Sequence, residues 1–208
     1  MNNPRAVIGT NSWGSAAYEK IIRGSVVDND TLKEAMKTAV KSFVDSARDY
    51  GFGKGPKLIG MCCPGEIKIS SKYTPFTKFK PGQVRESVDK DLKDFGRTSI
   101  EVYWLHMPND IPQYMAELIE LYQEGKIENI GVSNFNLQEC KLAKSILNKA
   151  GIPLFGVQNH YIFRRTLNSN KTRHNTNKGA IAEKRAVAPD LYHNIIPVPY
   201  SVPYLPWP

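Results

Sequence analysis

Between residues 6 and 162 the chain alternates short, β-prone apolar runs with amphipathic helical stretches, and nothing else in the sequence limits its fold as much. Strands separated by helices of this length belong in an α/β fold with a parallel sheet. The apolar runs are Ala6-Val7-Ile8, Phe43-Val44 ending at Asp45, Ile67-Lys68-Ile69-Ser70, residues 100–105, Asn129-Ile130-Gly131-Val132 and Phe155-Gly156-Val157-Gln158. The last five end near residues 45, 72, 106, 133 and 158, so successive ends lie 27, 34, 27 and 25 residues apart. That is close to one βα unit of about 30 residues. Six such units fit before residue 162, whereas a closed (β/α)8 barrel needs eight and about 250 residues in all. The expected fold is therefore α/β, of the (β/α)8 TIM-barrel type, incomplete with about six recognisable βα units.

The intervening helices carry apolar residues at alternating three- and four-residue spacing, as helices packed on one face do. Leu32, Ala35, Met36, Ala39, Val40 and Phe43 form one stripe, capped near Asp30 or Thr31. Val84, Val88, Leu92 and Phe95 form a second, closing at Gly96. A third helix opens at Asp110 with Pro112, carries Ile111, Met115, Leu118, Ile119 and Tyr122, and stops at Gly125. Asn136-Leu137-Gln138-Glu139 has the capping-box pattern and opens a fourth, which runs to about Ala150 before Gly151 and Pro153. Cys62-Cys63-Pro64-Gly65 reads as a loop.

Composition removes several classes of function. No run approaches the roughly 20 apolar residues of a membrane span. The start, Met1-Asn2-Asn3-Pro4-Arg5, lacks a secretory apolar core, so a cytoplasmic protein without membrane contact is expected. Cys62, Cys63 and Cys140 are an odd set with two adjacent members, a poor disulfide framework. No Cys/His spacing resembles a zinc site, and no metal is expected. The net charge of +8 is concentrated in residues 164–185, where Arg164, Arg165, Lys171, Arg173, Lys178, Lys184 and Arg185 face one acid, Glu183. That stretch has no aromatic residues on which bases could stack, so nucleic acid is not an expected partner.

The strand ends carry polar groups. Asp45-Ser46-Ala47-Arg48-Asp49-Tyr50-Gly51 follows the second strand, Ser70-Ser71-Lys72 the third, His106-Met107-Pro108 the fourth and Ser133-Asn134-Phe135 the fifth. In a barrel these ends converge on one face. Taken singly, each has an ordinary reading: Asp45 as a helix cap, Tyr50 as a packed tyrosine, Lys72 as a solvated charge, His106 as a core histidine.

Three segments in register resemble the aldo-keto reductase family: residues 9–14 (Gly-Thr-Asn-Ser-Trp-Gly), residues 45–51, and residues 125–135 (Gly-Lys-Ile-Glu-Asn-Ile-Gly-Val-Ser-Asn-Phe). The resemblance runs from residue 6 to about 165. It implies an NADP(H)-dependent reduction of a small-molecule carbonyl compound, an aldehyde or a ketone. It names Asp45, Tyr50, Lys72 and His106 as the catalytic set, with Tyr50 as general acid. Lys72 should favour the phenolate and lower the phenol pKa, Asp45 should hold Lys72, and His106 should orient the carbonyl or share the proton. By the same resemblance Ser133, Asn134 and Gln158 hold the nicotinamide carboxamide, Gly9 and Thr10 line the cofactor cleft, and Trp13 lines the substrate cleft.

Beyond Arg165 the pattern departs from the family. Residues 167–180 are polar, and Pro197, Pro199, Pro203, Pro206 and Pro208 crowd the end. Residues 1–165 are thus expected to be the barrel portion and residues 166–208 a divergent tail. Residues 181–189 and 194–199 resemble remnants of the family's seventh helix and eighth strand. A C-terminal truncation or an internal loss near residues 166–178 is expected, and it leaves open a second function, a non-catalytic binding protein on the same fold.

Overall fold

The computed structural model describes residues 7–24, 26–39 and 42–159. The chain order is β1 (Val7–Gly9), α1 (Ala16–Arg23), α2 (Asn29–Thr38), β2 (Phe43–Asp45), α3 (Gly55–Cys62), β3 (Lys68–Tyr73), α4 (Gln83–Phe95), β4 (Val102–Leu105), α5 (Ile111–Gln123), β5 (Ile130–Ser133), α6 (Leu137–Lys149) and β6 (Leu154–Gln158). The strands form one parallel sheet in the order β1-β2-β3-β4-β5-β6. Sequential parallel neighbours with a helical return between them are the βα repeat, and the sheet curls as an incomplete (β/α)8 barrel. The expected tail, residues 166–208, and both of its remnants lie outside the described residues.

The two-residue period of a strand sends alternate side chains to opposite faces. Val44, Ile69, Tyr103, Leu105, Ile130, Val132 and Val157 enter the large core shared with the helices, together with Val88, Leu118 and Ala143. Phe43, Val102 and Trp104, with Val7 and Phe155 against them, form a separate cluster on the inner face. Parallel sheets are covered on both faces, which explains why the strands are apolar nearly throughout. Gly131 faces Trp104 across the β4–β5 ladder. A Cβ there would stand 2.2 Å from the Trp104 ring, so only glycine lets the indole lie flat over β5.

Several local expectations shift. The first long helix is capped by Asp28, whose carboxylate accepts from the amides of Asp30 and Thr31, and it ends at Thr38. Phe43 therefore belongs to β2, and Val40 lies outside the described residues. Helices α1 and α3 were not expected from periodicity. Both are eight residues long, and α3 contains Gly55, Pro56 and Gly60. Cys62 closes α3 instead of lying in a loop. Asp110 precedes α5 with a left-handed backbone (φ 40°) and does not cap it. Its carboxylate accepts the Phe79 amide at 2.9 Å and ties two loops together. The capping box at Asn136 and Glu139 forms with both reciprocal bonds. Cys62, Cys63 and Cys140 are buried free thiols.

A buried polar network locks β2's following loop to the outer layer. Asp91 of α4 accepts from Arg48 at 2.9 Å, from Ser71 of β3 at 2.6 Å and from the Tyr103 hydroxyl of β4 at 3.2 Å. Arg48 also pairs with Asp94 and donates to the Gly53 carbonyl. Burial pushes the Asp91 carboxyl up to about 6, against the pull of Ser71 and Arg48.

Two outcomes follow from this packing. Gly131→Ala should lower stability by about 1–3 kcal/mol through overpacking against Trp104, read as a lower urea midpoint with altered tryptophan fluorescence; an unchanged midpoint would mean that β5 yields freely. Asp91 titrates above its unfolded value of 3.8, so its contribution to stability is full below that pH and is lost as pH rises through about 6. Unfolding free energies measured across that window should decline less steeply in Asp91→Asn than in the parent chain, and identical slopes would exclude Asp91 as the titrating group.

Candidate active site

One step beyond the inner apolar cluster, towards the C-terminal strand ends, the inner face turns polar. Asp45 ends β2, Ser70 and Lys72 lie on β3, Ser133 ends β5 and Gln158 ends β6. All five are buried, Asp45 and Lys72 to 1% exposure. The strand alternation that buries Phe43 beneath the layer places Asp45 in it.

Asp45 is the hub. Its Oδ2 accepts from Lys72 Nζ at 2.7 Å and from Gln158 Nε2 at 3.1 Å. Its Oδ1 accepts from Ser70 Oγ at 2.6 Å. Its backbone carbonyl accepts from both the amide and the hydroxyl of Thr10, at 3.1 and 3.0 Å. Lys72 Nζ also donates to the Ser46 carbonyl at 2.7 Å. Burial opposes the Lys72 charge most strongly, but the Asp45 carboxylate and Tyr50 together outweigh it and raise Lys72 above the ordinary lysine value.

Tyr50 reaches this layer from the turn after β2. Its ring lies under the Lys72 ammonium, 5.1 Å from nitrogen to centroid. The turn is tight: Gly51 and Phe52 have φ of 59° and 56°. A Cβ on Gly51 would stand 2.0 Å from the Trp13 carbonyl oxygen, so the turn packs on the loop after β1 only because residue 51 is glycine.

His106 follows β4, its amide continuing the ladder to the Tyr73 carbonyl. Its ring meets the Tyr50 ring edge-on at 6.4 Å between centroids. Burial, then the Lys72 charge, pushes the imidazole down to about 4, so it is neutral near pH 7. Nδ1 lies 2.7 Å from Thr74 Oγ1. Asn134, left-handed at φ 60°, donates its Nδ2 to the His106 carbonyl at 3.1 Å and to Ser133 Oγ at 3.2 Å. Ser133 Oγ in turn donates to the Gln158 carbonyl at 2.6 Å.

The structure thus brings together Asp45, Tyr50, Lys72, His106, Thr10, Ser133, Asn134 and Gln158. Gly9 ends β1 beside Asp45, with open space where a side chain would begin. Trp13, in the loop after β1, is 4% exposed and packs against the large core. The sequence placed Ser70 and Arg48 near strand ends without assigning them a role, and it did not single out Thr74 or Asp91. The period-2 alternation of β3 was the available signal for Ser70. The other three become legible only once α4 and the loops are placed.

Among the described residues no helix is long and apolar enough to cross a membrane. No group of three or more His, Cys, Asp or Glu side chains there could hold a metal ion.

Several known proteins resemble this chain in sequence or share its fold. The chain is 25% identical over 176 residues to the aldo-keto reductase YhdN of Bacillus subtilis, covering 77% of this chain and 49% of that protein. It spans half or less of the length of the curated relatives it matches. Its fold superposes on the thermostable aldo-keto reductase Tm1743 with a TM-score of 0.61 at 27% identity, over 76% of this chain and 58% of the other. An aldo/keto reductase from Klebsiella pneumoniae, solved with NADP and acetate, shares the fold at a TM-score of 0.56 and 20% identity, over 66% and 48% of the two chains. The sequence profile of the aldo/keto reductase family matches residues 6–202, and with the strand-end cluster built on the parallel sheet, the chain belongs to that family.

Proposed function

We propose that the chain reduces an aldehyde or ketone to an alcohol with a hydride from NADPH, with Tyr50 as the general acid. The observation that carries this reading is the buried Lys72 ammonium, held by Asp45 on one side and lying over the Tyr50 ring on the other. Carbonyl reduction leaves negative charge on the oxygen, to which a proton must be delivered. Tyr50 gives that proton, and the adjacent ammonium stabilises the charge its oxygen then bears. Asp45 keeps Lys72 in place and charged. His106, neutral and edge-on to Tyr50, orients the compound.

The residues present fit a nicotinamide. Gln158 Oε1 is buried without a hydrogen-bond partner among the described residues, an acceptor suited to an amide N–H. Ser133, Asn134 and Gln158 would hold the carboxamide, while Thr10, both of whose donors are engaged by Asp45, shapes the wall beside Gly9. NADP(H) supplies the hydride when bound. The Klebsiella relative solved with NADP supports this choice of cofactor. A phenol set beside a buried ammonium, as Tyr50 is beside Lys72, has no evident use in a purely binding protein, so the catalytic reading is preferred.

The test is quenching of protein fluorescence by NADPH together with aldehyde-dependent loss of NADPH absorbance. Tyr50→Phe should lower turnover by about 10²–10⁴-fold while NADPH binding persists; absence of NADPH binding in the parent chain would end the proposal. Gln158→Leu, with the fold checked by circular dichroism, should weaken NADPH binding about tenfold, the loss of one hydrogen bond of about 1.4 kcal/mol. Unchanged affinity would remove Gln158 from the cofactor site.

A further inference from the structure

Asp91 of α4 reaches both halves of the site from the opposite face of the sheet. Its Oδ1 accepts from Arg48 Nη1 at 2.9 Å, and Arg48 stands two residues before Tyr50. Its Oδ2 accepts from Ser71 Oγ at 2.6 Å, and Ser71 stands one residue before Lys72. One wholly buried carboxylate thus ties down both the segment that carries the phenol and the strand that carries the ammonium. Successive side chains of β3 point to opposite faces, so Ser71 meets α4 while Lys72 meets Asp45. The Arg48 amide adds a direct bond to the Lys72 carbonyl at 3.1 Å.

The far end of the Tyr50 turn rests on the same helix. Arg48 Nη2 donates to the Gly53 carbonyl at 3.0 Å and closes residues 48–53 around Tyr50. Arg48 Nη1 also lies 2.7 Å from Asp94. The turn leads into α3, whose Gly60 lies so close to α4 that a Cβ there would stand 1.9 Å from the Asp94 carbonyl oxygen. Entry and exit of the turn are therefore both fixed to residues 91–95, the end of α4, and that helix is seated in the core by Val84, Val88 and Phe95. The left-handed angles of Gly51 and Phe52 lie between these two anchors, and strain of that kind persists only where the surroundings hold it.

We propose that Asp91 and Arg48 are positioning residues that set the spacing between the Tyr50 phenol and the Lys72 ammonium from the helix side of the sheet. They act through the turn and through β3. Within the site the Tyr50 ring faces Lys72 and His106. A cation beside a phenol favours its ionised form, and that pull weakens as the two move apart. Slack in the turn therefore makes Tyr50 a poorer proton donor. The positioning stands on the geometry alone; its bearing on turnover rests on the function proposed above.

The phenol titration of Tyr50 in the cofactor-free chain tests this, read as the ultraviolet difference between each protein and the same protein carrying Tyr50→Phe. Arg48→Met combined with Asp91→Asn cuts the tie without stranding a buried charge. Arg48→Lys keeps the charge but loses the planar fork that serves three acceptors, and it decides the matter if the double variant does not fold. Both should move Tyr50 ionisation to higher pH, by about one pH unit in the double variant, with the circular dichroism unchanged. In turnover, kcat should fall about tenfold in the double variant while the KM for the carbonyl compound and the affinity for NADPH hold. A purely structural role would lower the melting temperature and leave the Tyr50 titration of the folded variants where it is in the parent chain, and that result overturns the inference. A parent chain that does not bind NADPH, with the Tyr50 titration shifted in the variants, ends the reductase reading and leaves the positioning standing.

Discussion

The ion pair between Asp45 and Lys72 is the contact on which the rest of the polar layer depends. Both side chains are almost wholly withdrawn from water, and neither charge is tolerable there without the other. Removing one partner of such a pair costs about 3–5 kcal/mol, because the survivor keeps its desolvation penalty. The pair spans neighbouring strands, and its remaining lone pairs and protons are met by Ser70, Gln158 and the Ser46 carbonyl. Gln158 reaches Asp45 from β6, at the far edge of the described sheet, which is possible only because the sheet curls. The charge pair and the curvature are thus two aspects of one arrangement.

Tyr50 is set in place by a different set of forces. It sits on a left-handed turn in which Phe52, a bulky residue at φ 56°, is 89% exposed. Such a conformation is costly and persists where the surroundings over-determine it. Here the surroundings are the close approach of Gly51 to the Trp13 carbonyl and the grip of Arg48 on Asp91, Asp94 and the Gly53 carbonyl. The outer network lies on the helix side of the sheet and the polar layer on its inner side, yet both act through β3. Ser71 points outward to Asp91, while Ser70 and Lys72 point inward to Asp45. A loop that positions a phenol is therefore anchored to a helix it does not follow in sequence.

Much of this architecture was legible in the residues. The stripe from Val84 to Phe95 with Gly96 after it, the capping box at Asn136, and the β-prone run into Leu105 each carry their own local signal, and each formed close to where it was expected. The short helices α1 and α3 did not announce themselves, because eight residues hold barely two turns of periodicity and α3 includes glycine and proline. The extension of the first stripe to Phe43 failed because the three- and four-residue spacing ran on by coincidence into a strand. The polar set Asp45, Tyr50, Lys72 and His106 was found through its order along the chain.

By itself the sequence determined the parallel βα repeat, the apolar faces of its long helices, and which polar side chains end each strand. These follow from periods of 2 and 3.6 residues, which are local properties of the backbone. Only the tertiary structure decided that Gln158 meets Asp45, that Arg48 is held by Asp91, and that Thr74 and Asp49 line up on His106. Those contacts join residues between 25 and 113 positions apart. They depend on how far the sheet curls and how the loops close over its ends, and no local pattern encodes that geometry.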